Sequence, residues 1–304
     1  MAKKNPLLVL AGPTASGKTS LAIRLAQRFG GILLSADSRQ VYRFFDIGTA
    51  KATRAEREAA EHRLIDIAEP TETLTAAQYQ RLAHEEIKQA HASGAIPILV
   101  GGTGFYIRSV TGGLSIPEVP PDPAFRASLQ GRADLHERLM EIDPVAAGRI
   151  HRNDSVRIVR ALEVFHHTGK PISQLQKKVE CPYSLLYLAL DWEREALYER
   201  IDARAHQMIE QGFVEEVRFL AQKYGEDLPL LRTLGYAEIL SCLRGESDLE
   251  GAIALIQKNT RNYAKRQLTW FRHEEGVQWI PPAFEEAERR VEAFLSIKGE
   301  TDVG

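Results

Sequence analysis

The run Gly12-Pro13-Thr14-Ala15-Ser16-Gly17-Lys18-Thr19 fits G-x-x-x-x-G-K-[ST] at every fixed position, and no other stretch constrains the fold as strongly. An apolar run, Leu7-Leu8-Val9-Leu10-Ala11, comes just before it, and Leu21, Ala22, Leu25, Ala26 and Phe29 recur after it at helical spacing. The spacing predicts a strand, a glycine loop and a helix in succession. Glycines let the backbone curl until successive N–H groups converge on one anion, the helix N-terminus adds roughly half a positive charge, and Lys18 adds a whole one. Thr19 is placed to hold Mg²⁺. Such a match arises by chance in a chain of this length only about 1% of the time. The loop is therefore read as a phosphate cradle, with the identity of the phosphate left open.

With 304 residues, 44% of them apolar and 26% charged, the chain has the composition of a soluble globular protein of one large or two modest domains. Met1 to Pro6 leads straight into the first strand, whose apolar run is too short for a signal-peptide core. Nothing later reaches the ~18 apolar residues of a membrane span. A cytoplasmic protein without a membrane partner is expected. Cys181 and Cys242 lie far apart, outside any metal-ligand or disulfide spacing. A net charge of −2 excludes a non-specific coat for nucleic acid but leaves local basic faces open.

Along the chain, Gly30-Gly31 stops the first helix and Ile32-Leu33-Leu34-Ser35-Ala36 reads as a second buried strand. Asp37-Ser38-Arg39-Gln40 then falls just beyond its carboxyl end, where open α/β sheets bind ligands. Thr53-Arg54-Ala55-Glu56 and Thr75-Ala76-Ala77-Gln78 open two helices, the second running to Ala92. Ile96-Pro97-Ile98-Leu99-Val100 follows as a strand that ends in Gly101-Gly102-Thr103-Gly104, so Lys18, Asp37 and Thr103 emerge on one rim. From Ile116 to Pro123 the chain is proline-rich, and helical pattern then holds until Leu185-Leu186-Tyr187-Leu188-Ala189-Leu190 returns it to the sheet. The expected fold is α/β, a phosphate-loop NTPase-like parallel sheet flanked by helices over 1–115 and 183–304, with an all-helical insertion over 116–182.

Two helices carry clustered positive charge. Arg157 and Arg160 sit one turn apart beside an apolar stripe, which suits either a solvated salt-bridging face or an anion contact. Lys258 to Arg272 contains five basic and no acidic residues. Lys258, Arg261, Lys265 and Arg272 fall in one sector of about 60°, opposite Tyr263, Ala264, Trp270 and Phe271. That face suits a polyanion or acidic neighbours. Arg232, in Leu231-Arg232-Thr233-Leu234-Gly235-Tyr236, reads by itself as a surface residue.

The phosphate loop, Asp37-Ser38-Arg39-Gln40-Val41-Tyr42, Asp46-Ile47-Gly48-Thr49-Ala50-Lys51, Gly101-Gly102-Thr103-Gly104-Phe105-Tyr106, Arg157 to Val164, Leu234-Gly235-Tyr236 and Tyr263 to Phe271 together resemble the tRNA dimethylallyltransferase family, in order, from Leu8 to about Arg272. The Asp46 to Lys51 and Tyr263 to Phe271 blocks are the most specific of these. The resemblance implies transfer of a dimethylallyl group from its diphosphate to N6 of the adenine 3′ to the anticodon, in tRNAs that read codons starting with U. It implies a diphosphate in the loop, with Ser16 and Thr19 completing the phosphate and Mg²⁺ shell. Asp37 is implied as general base, Thr103 as the hydroxyl near the leaving oxygen or target nucleotide, and Lys18 and Arg232 as cations on the leaving group. Asp37, Ser38, Arg39, Gln40 and Thr103 are expected to meet the tRNA, Gln40 at the base-recognition position. Arg126, Arg157 and Arg160 would reach tRNA as the inserted domain swings closed, and Lys258, Arg261 and Lys265 would grip the anticodon stem-loop. A monomer is expected. The rival readings are a small-molecule kinase, with Arg157 and Arg160 as lid arginines, and a nucleotide-regulated RNA-binding adaptor.

Overall fold

The computed structural model describes residues 4–113, 115–176 and 180–299. Residues 1–3, 114, 177–179 and 300–304 of the expected domain ranges lie outside the described residues. The chain forms two compact units, Met1–Leu74 with Leu82–Ile107 and Pro182–Gly304, and Thr75–Arg81 with Arg108–Cys181.

The elements run β1 (Pro6–Ala11), α1 (Lys18–Phe29), β2 (Gly31–Ser35), α2 (Arg54–Ala59), β3 (His62–Arg63), α3 (Ala76–Ala92), β4 (Ile96–Gly101) and α4 (Gly104–Thr111). The helical unit continues with α5 (Pro123–Ser128), α6 (Leu135–Ile142), α7 (Pro144–Ala147), α8 (Ser155–Thr168) and α9 (Ile172–Leu175). The chain then returns through β5 (Ser184–Leu190), α10 (Arg194–Glu210), α11 (Phe213–Tyr224), a 3₁₀ turn (Pro229–Arg232), α12 (Tyr236–Leu243), α13 (Leu249–Arg272), β6 (Val277–Ile280) and α14 (Phe284–Gly299).

The first unit is built on one six-stranded sheet in the order β3-β2-β4-β1-β5-β6, with every pairing parallel. Apolar residues fill both faces, as a parallel sheet covered by helices requires. On one face Leu8, Leu10, Leu33, Ile98, Leu188 and Leu190 pack against Leu21, Ala22 and Leu25 of α1 and Val291 of α14. On the other, Leu7, Val9, Leu34 and Leu99 are also buried. Each such side chain contributes roughly 1.5–3 kcal/mol of burial free energy. After β1 the chain leaves toward β2, whereas after β5 it leaves toward β6, so β1 ends where the connections diverge. Two features are too short to have a sequence signature: strand β3 has two residues, and Tyr42 and Ala68 form a single parallel bridge.

The helical unit has its own core of Leu129, Leu139, Ala147, Ile158, Ala161 and Leu162. It includes Thr75–Arg81 and begins again at Arg108, ahead of the proline-rich stretch. The unit boundaries fall inside α3 and α4, which cross them unbroken and carry no compositional mark. Its organising polar group is Glu163, fully buried, which accepts hydrogen bonds from Arg126 Nε (2.7 Å) and Nη2 (2.9 Å), from the Asp122 N–H (2.8 Å) and from Arg160 Nη1. Arg160 also donates to Val119 O at 2.8 Å. Arg126 and Arg160 thus hold the unit together around a buried carboxylate, with the Arg126 side chain still 44% exposed. Arg157 projects, with its side chain 67% exposed beside Asp154.

Burial alone would raise the Glu163 carboxyl, but the Arg126 guanidinium, the Asp122 N–H and Arg160 overcome it and lower its pKa from 4.5 to about 2. A carboxylate with a depressed folded pKa stabilises above its unfolded value and loses that contribution as pH falls through the folded one. Glu163→Gln is therefore expected to cost roughly 2 kcal/mol near neutral pH, allowing for the part-exposed arginines. Thermal melts of both proteins are expected to converge between pH about 4.5 and about 2.

Candidate functional site

The loops after β1 and β2 and the last residues of β4, Val100 and Gly101, border one cavity of about 480 Å³, with Thr103 outside its lining. The strands alone do not bring them together. Past the strand ends the ladder continues, with Ala36 N–H donating to Val100 O (2.7 Å) and Thr103 N–H to Ala36 O (3.1 Å). Gly101 has to be glycine there, because a Cβ would collide with the Ala36 carbonyl. The approach sets Asp37 beside Thr103, whose Oγ1 accepts the Ser38 N–H at 3.0 Å.

The phosphate loop is fastened from outside so that its amides can turn inward. Ala15 (φ 61°) and Gly17 (φ 80°) adopt left-handed backbone, which for alanine costs of order 1–2 kcal/mol. Ala15 O accepts Arg200 Nε (2.8 Å), Ser16 O accepts Trp192 Nε1 (3.0 Å), and Pro13 O accepts Lys18 Nζ (2.9 Å). The Arg200 guanidinium lies over the Trp192 ring at 4.6 Å. Arg204 reaches Thr14 Oγ1 at 3.4 Å. Thr14, Ala15, Lys18 and Thr19 line the cavity. Gly12, Pro13, Ser16 and Gly17 shape the loop from behind, and the Ser16 hydroxyl is buried without a hydrogen-bond partner. Ser16 is not among the residues that line the cavity.

Asp37, Ser38, Arg39 and Gln40 form the opposite wall. Asp37 Oδ1 accepts the N–H groups of Arg39 (2.8 Å) and Gln40 (3.4 Å), which fixes the carboxylate and leaves Oδ2 outside these bonds. Gln40, expected to recognise a base, is engaged within the protein. Its Nε2 donates to Thr49 O (3.1 Å) and Ala50 O (3.2 Å), and its Oε1 accepts from Ser35 Oγ (3.0 Å). It ties the Asp37 loop to the Asp46–Lys51 loop, which is itself held by the buried Lys51 and the half-buried Glu216. Lys51 Nζ bonds Asp46, Asp66 and Tyr42 O. Glu216 accepts the N–H groups of Asp46, Ile47 and Gly48 at 3.1, 2.7 and 3.2 Å, and the Tyr236 hydroxyl at 2.7 Å.

The electrostatics of the cavity are set by burial. Desolvation pulls the Lys18 ammonium down from 10.5 to about 8, with Asp37 opposing and Arg204 adding to the shift. Burial also lowers Arg204, again with Asp37 opposing. Tyr263 is pushed up to about 12 by burial and by Asp37, against Arg39, Arg266 and a hydrogen bond with Thr103. Arg232, expected on the leaving group, lines the cavity from the end of the 3₁₀ turn with its side chain 71% exposed and paired with Asp227 at 3.3 Å. The guanidinium groups beside the phosphate loop are those of Arg200 and Arg204, and of these two Arg204 lines the cavity.

The donors on the wall, the Thr19 hydroxyl and the Asp37 carboxylate, are hard oxygens that suit Mg²⁺. Among the described residues there is no cluster of three or more His, Cys, Asp or Glu that could hold a metal. Such a wall fits an ion that completes its shell from substrate oxygens and water.

On α13, Lys258 and Lys265 are exposed as expected, while Arg261 pairs with Asp202 of α10. The face opposite is more than packing, since Tyr263, Arg266 and Gln267 line the cavity. Arg200, Arg204 and Trp192 escape sequence reading because no motif marks them; the i,i+4 arginine spacing on α10 is their one local signal.

Lys18 can neutralise an arriving anion only while protonated, so kcat/KM for a diphosphate substrate is expected to fall as pH rises through about 8. The limb in kcat is expected at higher pH, because bound diphosphate raises the lysine. A pH series of initial rates at limiting and saturating substrate measures both limbs, and Lys18→Ala removes them.

A sequence profile of the family described as IPP transferase matches residues 40–274. The chain is 51% identical to the tRNA dimethylallyltransferase of Thermosynechococcus vestitus over 285 residues, 93% of this chain and 91% of that one. It is 53% identical to that of Gloeobacter violaceus over 276 residues, 90% and 91% of the two chains. Among solved structures it resembles the tRNA isopentenylpyrophosphate transferase of Bacillus halodurans, with TM-score 0.71, 38% identity and 99% and 97% coverage. It also resembles a eukaryotic dimethylallyltransferase acting on tRNA, with TM-score 0.78, 29% identity and 92% and 74% coverage. With its phosphate loop, rim carboxylate and α13 block all inside one cavity, this chain belongs to the IPP transferase family.

Proposed function

We propose that the chain transfers a dimethylallyl group from dimethylallyl diphosphate to N6 of the adenine 3′ to the anticodon, in tRNAs reading codons that start with U, releasing diphosphate. The observation that carries this reading is a carboxylate, Asp37, fixed by its own loop amides across one cavity from the Lys18 ammonium and the Arg204 guanidinium. An adenine amine is a poor nucleophile because its lone pair is delocalised into the ring. Asp37 takes its proton as the C–N bond forms, a contribution of typically 10²–10⁴-fold. Opposite, the inward amides of the phosphate loop, the α1 N-terminus, Lys18 and Arg204 hold the diphosphate and stabilise the charge that develops on its bridging oxygen as the C–O bond breaks. Thr19 would hold Mg²⁺, which when bound supplies further positive charge to the leaving group. Thr103, hydrogen-bonded to Ser38 and Tyr263, orients the acceptor side.

An adenine stacked in an anticodon loop does not reach this cavity unless it is flipped out, at a cost of a few kcal/mol that contacts in the pocket offset. Ser38, Arg39 and Arg266, which line the cavity, would meet the flipped nucleotide. Arg157, Lys258 and Lys265 meet phosphates of the anticodon stem-loop, which makes binding salt-sensitive. The enzyme acts as a monomer in the cytoplasm, without a membrane partner; among the described residues no helix is long and apolar enough to cross a bilayer. A kinase would use the same loop and arginines for a nucleotide, but membership of the IPP transferase family favours prenyl transfer.

Purified protein incubated with radiolabelled dimethylallyl diphosphate, Mg²⁺ and unmodified tRNA is expected to label the RNA. Asp37→Ala is expected to retain tRNA binding and to transfer 10²–10⁴-fold more slowly. ATP-dependent phosphorylation of a small molecule, with no label in tRNA, would sink the proposal.

A further inference from the structure

We propose that Gln267 is a positioning residue that sets the register between the leaving-group half and the acceptor half of the site. The inference rests on the transfer reaction proposed above. Gln267 lies on α13 and is 6% exposed. Its Oε1 accepts the Thr14 N–H of the phosphate loop at 2.9 Å, and its Nε2 donates to Gly102 O, after β4, at 2.9 Å. Gly102 precedes Thr103, whose Oγ1 accepts the Ser38 N–H next to Asp37. One side-chain amide therefore joins the loop that receives the diphosphate to the loops that present the hydroxyl and the carboxylate.

The chemistry of the link fits this task. A primary amide offers a donor and an acceptor about 2.3 Å apart; glutamate lacks the donor, and leucine lacks both. Gly102 leaves the space the amide needs, because a Cβ there would run into Gln267 Nε2. Tyr263, four residues earlier on the same helix, bonds Thr103, and Trp270, three residues later, lies against the Cα of Gly104 where a Cβ would clash. A single ridge of α13 thus meets Thr103, Gly102 and Gly104 through Tyr263, Gln267 and Trp270, and through Gln267 it also reaches the phosphate loop. It also withdraws the Thr14 N–H from the anion cradle, so that contact serves alignment and not charge. Displacement at an allylic carbon needs nucleophile and leaving group in line at near-contact separation, where a 1 Å error costs about 10²-fold in rate.

The test compares wild type, Gln267→Leu and Gln267→Glu in the full chain, by initial rates of prenyl transfer to tRNA, by equilibrium binding of dimethylallyl diphosphate and of tRNA, and by thermal melts. Gln267→Leu is expected to lower kcat about 10²-fold, with both dissociation constants within about threefold of wild type. Gln267→Glu, which keeps the acceptor for Thr14, is expected to fall between. If both variants melt lower yet turn over at the wild-type kcat when folded, or if their losses lie in binding with kcat unchanged, Gln267 is a packing residue and the proposal is overturned. Should Gln267→Leu not fold, the Gln267→Glu comparison decides on the same criterion. Wild-type transfer in the same assay separates the two readings, since its absence removes the proposed reaction itself.

Discussion

The site depends on a backbone contact that involves no functional side chain. Where β2 and β4 end, their ladder runs on through Ala36 and Val100 and then through Thr103 and Ala36. A parallel ladder fixes the spacing of its strands at about 4.8 Å, so extending it past the strand ends imposes that spacing on the loops. Asp37 and Thr103 are neighbours for that reason. The requirement for glycine at 101 follows from the same contact, because the ladder can continue only if nothing stands between the Ala36 carbonyl and the opposing backbone. Ser38 N–H to Thr103 Oγ1 then converts backbone spacing into side-chain geometry.

Around this frame the charges are unevenly matched. Lys18, Arg204, Arg39 and Arg266 line a cavity in which Asp37 is the single acidic side chain among its lining residues. The depressed Lys18 is the cost of that arrangement, because the ammonium is desolvated and shares its surroundings with Arg204. A dianionic or trianionic ligand relieves the imbalance on arrival, so the protein holds its cations ready and lets the substrate complete the neutralisation. Fastening the loop's carbonyls to Arg200, Trp192 and Lys18 serves the same end, since amides that already point inward need no reorganisation when the anion binds.

The parts legible in the sequence were those with a local cause. The phosphate loop, the capping box at Thr53 and the stop at Gly30 are written in consecutive residues, and the structure forms each. The strands around Leu8, Leu33, Ile98 and Leu188 are legible because a doubly covered parallel strand is a continuous apolar run. Arg204 was not legible as a site residue, because its importance lies in reaching Thr14 from 190 residues away, and the i,i+4 spacing with Arg200 on its own helix does not show what it faces. Gln267 lies 253 residues from Thr14, and its neighbourhood resembles a family block without saying which of the nine residues does what. Arg232 drew attention for the opposite reason: by itself it reads as a surface residue, and its side chain is exposed, so that only its place before Leu234-Gly235-Tyr236 suggests a role on the leaving group.

The arginines make the underlying physics plain, because the same side chain is put to opposite uses in the two units. In the helical unit, Arg126 and Arg160 face a fully buried carboxylate, and both guanidinium groups are engaged in keeping Glu163 ionised. In the sheet unit, Arg200 and Arg204 face a carbonyl and a hydroxyl of the phosphate loop. Such neutral acceptors orient a guanidinium without cancelling its charge, and the field remains available to a ligand. Helical spacing marks Arg157 with Arg160 and Arg200 with Arg204 alike, yet Arg157 is exposed beside Asp154, and the arginine that joins Arg160 on Glu163 is Arg126 of another helix. What separates a structural arginine from one that can act on a substrate is the charge of the group across from it, and that group, whether Glu163 or the backbone of Ala15, is supplied by tertiary structure.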